Sequence, residues 1–279
     1  MNKGTVPAFT ERLYTGPVFE GMPWVVRTDL AVAVAGGATV TEGPGCLVVR
    51  TPGNPWFHWG NFIMVTGGNV SDADQWLARF EGEFPGAAYR AIGLPVAPDP
   101  APWVARGLVV EAEQSLAQRG RPSVPDPPPG YAVRRIEGDD WPAYLTHRLA
   151  DDQPHPPAHH QEFLTARVRM YQRLSDHEQA GFFGAFGGDG TIAASLGIVL
   201  LGERARYQTV LTLPPYRHQG LATYLLALAG AWAYDRGART RIIVADADSP
   251  AQTLYERVGF TPLDRSFGAY AGGAPVDPK

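Results

Sequence analysis

Arg206-Tyr-Gln-Thr-Val-Leu-Thr-Leu-Pro-Pro-Tyr-Arg-His-Gln-Gly-Leu-Ala-Thr-Tyr-Leu-Leu226 carries three local instructions in succession. Thr209 to Leu213 is β-branched and apolar, the composition of a strand. Pro214 and Pro215 stop the ladder, because neither has a backbone N–H to donate. After the turn, Leu221, Leu225, Leu228, Ala229 and Trp232 recur at helical spacing. The order is therefore strand, Pro turn, Arg217-x-x-Gly220-x-Ala222, helix. Unpaired N–H groups and the positive end of a helix dipole then stand at the tip of a strand, which suits a phosphate. Gly220 allows the backbone to approach an anion closely, and the small Ala222 keeps the first turn open.

A second stretch lies downstream: Asp248-Ser-Pro-Ala-Gln-Thr-Leu-Tyr255-Glu-Arg-Val-Gly-Phe260. The Arg217-x-x-Gly220-x-Ala222 element resembles the acyl-CoA pyrophosphate loop of the GNAT superfamily of N-acyltransferases. The second stretch resembles that family's Asn-x-x-Ala-x-x-Leu-Tyr-Glu-x-x-Gly-Phe element, with Asp248 standing where the family has Asn. Either element alone is weak. Arg79-Phe-Glu-Gly82 also fits Arg-x-x-Gly, yet it falls inside a helical stripe where it can bind nothing. In this order, with the strand Arg241 to Asp246 between them, the two are specific.

The resemblance implies an α/β fold with a mixed sheet flanked by helices and acetyl-CoA as cosubstrate. It implies transfer of the acetyl group to an amine of a small molecule or a peptide. Carried over by position, the backbone of Arg217, His218, Gln219, Gly220, Leu221, Ala222 and Thr223 would hold the diphosphate. The Arg217 side chain either pairs with phosphate or braces the loop. Val210 and Thr212, on the strand before the turn, would bond the pantetheine and polarise the carbonyl. Tyr255 would be the acid that protonates the departing thiolate, with a packed core tyrosine as the plainer reading. Asp248 would sit near the cofactor, its charge placing that contact in doubt.

The base is harder to find, since a protonated amine of pKa near ~10.4 must lose a proton. Arg206 to Leu213 contains no acid. Asp246, at the end of the strand before the second element, is the best geometric candidate. Glu203 reads as a solvated turn residue. His155, His159 and His160 lie in a loop that forms the acceptor pocket in this family; their spacing permits a metal site, but no metal is expected there. A water relay needing no single base is an alternative. A non-catalytic acyl-CoA-binding regulatory protein is the rival function, favoured by the missing acid on the central strand.

Composition sets outer bounds. With 279 residues, 44% hydrophobic and 11% aromatic, the chain can bury a substantial core. A net charge of -4 implies no general attraction to nucleic acid or an anionic membrane. The single Cys46 admits no internal disulfide framework and suggests a cytoplasmic setting, and Met1 to Arg12 has no apolar core of a secretory signal. Monomer and homodimer are both compatible with these numbers.

The organisation along the chain is tandem. Residues 1–120 suggest strands at Leu30 to Val34, Cys46 to Arg50, Phe62 to Thr66 and Tyr89 to Leu94, a helix opening at Ser71, and an extended Gly107 to Leu116. That order resembles the later half of a GNAT fold without a Pro turn and Arg-x-x-Gly-x-Gly/Ala element. A degenerate GNAT-like lobe with no cofactor of its own is therefore expected. The aromatic run Trp56-Phe-His-Trp59 is read as packing. The Pro-rich 121–130 segment is a stiff linker. Residues 131–279 then give strand, helix, helix, two strands joined by Gly187-Gly-Asp-Gly190, and the central strand Arg206 to Leu213. Ser249 caps the last helix and Gly259 closes it.

Overall fold

The computed structural model describes residues 19–151 and 159–272. In chain order the elements are α1 (Trp24–Ala35), β1 (Thr39–Gly43), β2 (Cys46–Arg50), β3 (Phe62–Val65), α2 (Ala73–Glu83), β4 (Arg90–Leu94), α3 (Ala101–Val104) and β5 (Val109–Arg119). There follow β6 (Ala132–Arg135), α4 (Asp140–Leu149), α5 (His160–Asp176), β7 (Ala180–Phe186), β8 (Ile192–Leu201), β9 (Arg204–Thr212), α6 (Leu221–Asp235), β10 (Thr240–Asp246), α7 (Pro250–Arg257) and β11 (Thr261–Ala271).

These elements form two compact units. The first comprises the described residues of Met1–Leu116, Val244–Glu256 and Pro262–Pro275; the second comprises those of Ala117–Ile243 and Arg257–Thr261. In the first unit the strand order is β1-β2-β3-β4-β11-β5. β1, β2 and β3 run antiparallel in turn, β3 and β4 are parallel, and β11 returns antiparallel to β4. In the second unit β6, β7, β8 and β9 are antiparallel, and β9 is parallel to β10. Each unit therefore holds one parallel crossover through a helix, β3-α2-β4 and β9-α6-β10. The α/β class with mixed sheets flanked by helices is the one the sequence implies.

The second unit has its core on β7 and β8, which are buried along nearly their whole length. Phe182 centres it, with ring contacts to Trp141, Tyr144 and Tyr171. Gly197 is required there, because a Cβ would lie 2.2 Å from the Phe182 ring.

Two expectations are corrected. Leu30 to Val34 is not a strand but lies within α1, whose alternating Ala and Val are buried on several faces rather than one. The α1 N-terminus is capped from far away: the Asp264 carboxylate accepts from Trp24 N at 2.9 Å. The helix expected to open at Ser71 is capped instead by Asp72, whose Oδ1 accepts from Gln75 N at 3.1 Å. The Gly187 to Gly190 cluster is the turn joining β7 and β8, and Arg79 and Gly82 lie within α2. His155 falls outside the described residues.

Candidate active site

β9 and α6 bring together most of the expected residues. The antiparallel register with β8 runs Ala194 to Thr212 and Ser195 to Leu211, then jumps to Gly197 opposite Gln208. Thr209 and Val210 thus share the single position facing Leu196, which makes a β-bulge. Thr209 carries the bend at φ +52°, a costly conformation for a β-branched residue. On its other edge β9 pairs with β10 over Arg204 to Arg206. Beyond that point its described pairing is with β8 alone. Val210 and Thr212 are half-buried, so they are reachable from outside the sheet.

Past Thr212 the two prolines wind into a single turn of 3-10 helix over Pro214–Tyr216. His218 at φ +63° and Gly220 at φ +78° then bend the chain into α6. Arg217 to Gly220 are exposed. No side chain caps α6, so the first-turn N–H groups of Leu221, Ala222 and Thr223 have no side-chain acceptor at the N-cap. A Cβ added at Gly220 would meet nothing within 4 Å, so the space in front of this helix end is open. Arg217 donates through Nε to the Thr212 carbonyl at 3.2 Å, which is the bracing role. Gln219 is held from the side by the Tyr131 hydroxyl at 2.8 Å.

The N-terminus of α2, at the matching place in the other crossover, is closed. Asp72 covers Gln75 N, and Asp74 adds a second carboxylate in the first turn, paired with Arg106. The Asp72 carboxylate takes the place that an anion would occupy at this helix end.

Asp246, Asp248 and Tyr255 belong to the first unit. Asp246 ends β10 next to Ala247, whose N–H bonds the Ala112 carbonyl at 2.9 Å on β5. Partial desolvation of its carboxyl, and then the charge of Glu111, raise the Asp246 pKa above the ordinary carboxylate value. Burial, a hydrogen bond to Glu111 and the charges of Glu111 and Asp246 push Tyr270 up as well. Asp248 is ion-paired: Arg265 Nη2 lies 2.9 Å from its Oδ1. Ser249 Oγ accepts from Gln252 N at 3.2 Å, while Gln252 Oε1 accepts from Asp248 N at 2.8 Å, one residue earlier than a reciprocal box requires. Tyr255 is buried on α7 at 2% exposure.

Several residues escaped the sequence reading. Tyr144 on α4 places its hydroxyl 3.2 Å from Thr209 Oγ1, at the bulge. His147, one turn further, donates from Nδ1 to the Ile192 carbonyl at 2.8 Å. Burial, followed by the neighbouring Arg148 charge, lowers its pKa to about 4, so the ring is neutral at pH 7. The helix through Trp141, Tyr144, Leu145 and Leu149 was legible; the contacts of Tyr144 with β9 and of His147 with β8 were not. Among the described residues no group of three His, Cys, Asp or Glu could hold a metal ion, and no helix is long and apolar enough to cross a membrane.

Known proteins place this architecture. Residues 132–260 match the model of the acetyltransferase (GNAT) family. A GCN5-related N-acetyltransferase from Kribbella flavida superposes with a TM-score of 0.62 over 90% of this chain and 96% of its own, at 16% identity. A conserved protein of unknown function from Staphylococcus epidermidis gives 0.65 over 84% and 94%, at 14% identity. A tandem GNAT protein from the clavulanic acid biosynthesis pathway gives 0.53 over 88% and 87%, at 17% identity. Such identities speak for the fold alone. No curated protein matches the chain. GNAT proteins use acetyl-CoA, and the uncapped, open N-terminus of α6 fits its diphosphate. Residues 132–260 of the chain thus form a domain of the acetyltransferase (GNAT) family.

Proposed function

We propose that the chain transfers an acetyl group from acetyl-CoA to the nitrogen of an amine carried by a small molecule or a peptide. The observation that carries this reading is the continuous run of bulged strand, Pro turn and uncapped helix from Thr209 to Thr223. Acetyl-CoA supplies an acyl group already activated as a thioester.

The backbone N–H groups of Arg217 to Thr223 hold the diphosphate, aided by the α6 dipole. Arg217 fixes the turn through the Thr212 carbonyl. Val210 and Thr212 bind the pantetheine, and their N–H groups polarise the acyl carbonyl, donors fixed in place before the reaction begins. Asp246 receives the proton of the acceptor ammonium, and its raised pKa makes it a stronger base than an ordinary carboxylate. Tyr255 Oη holds the proton returned to the sulfur. Asp248, neutralised by Arg265, contributes backbone position rather than free charge.

The sequence modules of this reading are a degenerate lobe over 1–120, a linker over 121–130 and the acetyltransferase domain over 131–279. The Asp72 cap on the α2 N-terminus supports a first lobe without a cofactor.

An amine panel of small molecules and peptides, followed by release of free thiol from acetyl-CoA, tests the activity. Amine-dependent release is expected. Acetyl-CoA binding without release toward any amine would favour the regulatory reading, which the burial of Tyr255 supports.

A further inference from the structure

The bulge of β9 sets a physical problem. Thr209 sits at φ +52° and is 3% exposed. A β-branched residue in the left-handed region is strained, and such strain persists only where surrounding structure over-determines it. If Thr209 relaxed toward ordinary strand geometry, the extra residue would be redistributed along β9 and the amides on either side would turn. The neighbouring residue is Val210.

The contact that opposes this relaxation comes from α4. Tyr144 is fully buried and its ring is wedged between Trp141 and Phe182, at centroid distances of 5.6 and 5.9 Å. That packing leaves the phenol a single direction, and its oxygen meets Thr209 Oγ1 at 3.2 Å. Tyr144 reaches a β9 residue 65 positions away in sequence, at the one place where the β8 register fails.

We propose that Tyr144 is a positioning residue: its hydroxyl holds Thr209 in the left-handed conformation and thereby aims the Val210 N–H at the acyl carbonyl. This rests on the reading that β9 polarises that carbonyl. The lock is needed because residue 209 is β-branched. With glycine there, the left-handed conformation would carry no steric cost and the hydroxyl would be dispensable.

The test uses the full chain loaded with acetyl-CoA labelled with carbon-13 at the carbonyl. In the wild type the bound carbonyl resonance is expected downfield of free acetyl-CoA. Tyr144→Phe keeps the ring packing and should lose more than half of that displacement, with acetyl-CoA affinity changed by no more than about threefold. Thr209→Val, which removes the other partner while keeping the branch, should do the same should Tyr144→Phe fold poorly. In a Thr209→Gly background the further change Tyr144→Phe should leave the displacement unaltered. Full displacement in both single variants would overturn the lock and leave the polarisation reading intact. An equal loss from Tyr144→Phe in the Thr209 and Thr209→Gly backgrounds would also overturn it. Tightly bound acetyl-CoA with no displacement in the wild type would overturn the polarisation reading itself.

Discussion

Arg217 Nε donates to the carbonyl oxygen of Thr212 at 3.2 Å, tying the first residue of the α6 turn to the last residue of β9. The guanidinium is exposed, so the bond fixes geometry more than it stabilises the fold. Arg217→Ala is expected to weaken acetyl-CoA binding about tenfold, near the worth of one hydrogen bond, with little change in Tm. Titration calorimetry and a thermal melt check both halves.

Gly220 separates two effects. Its φ of +78° disfavours any other residue, yet open space lies beyond it. Gly220→Ala should cost about 1 kcal/mol of stability through backbone strain and still bind acetyl-CoA. Gly220→Glu puts a carboxylate at the helix end and should abolish binding. Denaturant melts and equilibrium binding on the two variants read these separately.

Asp246 gives a pH dependence of definite sign. Its folded pKa is raised, so the folded chain holds this proton to higher pH than the unfolded chain does. The associated stability is complete below the unfolded value of about 3.9 and is lost as pH rises through the raised value. Asp246→Asn should therefore raise Tm at pH 7 relative to wild type and leave it unchanged near pH 3. Glu111→Gln removes part of the cause and should move the acidic limb of the activity profile to lower pH. An unmoved limb would separate Glu111 from the base.

Gly230 is where the start of the Pro-rich segment meets the acetyltransferase domain. A Cβ there would stand 2.6 Å from Tyr207 Oη, 2.9 Å from Arg241 Cδ and 3.0 Å from Pro122 Cγ. Arg241 is wholly buried and reaches the Gly120 carbonyl and Gln118 Oε1. Gly230→Ala is expected to cost about 2 kcal/mol and lower Tm by roughly 5 °C, since nothing at that contact can give way cheaply. An unshifted melt would mean that residues 118–122 are not tightly held.

What could be read from the sequence was local. The strand, Pro turn and helix around Gly220 were legible because each rests on the chemistry of adjacent residues: β-branching, the missing N–H of proline, helical spacing. β7 and β8 were legible for the same reason. The misreadings share a different cause. Leu30 to Val34 alternates like a strand, and what stabilises the helix that contains it includes the bond from Trp24 N to Asp264, 240 residues after Trp24. Asp72 outcompetes Ser71 as a cap by one residue of local geometry. The bulge exists only in the mismatch between β8 and β9, and no single strand encodes it. Glu111 gains meaning only beside Asp246, and Tyr144 only beside Thr209. Spacing finds phosphate loops; it does not find partners across a sheet.

The central claim is that acetyl-CoA is held by the α6 turn and nowhere else on the chain. Titration calorimetry with acetyl-CoA tests it most directly. One site per chain, lost in Gly220→Glu, is the predicted result. Two sites, or one site indifferent to Gly220→Glu, would contradict it.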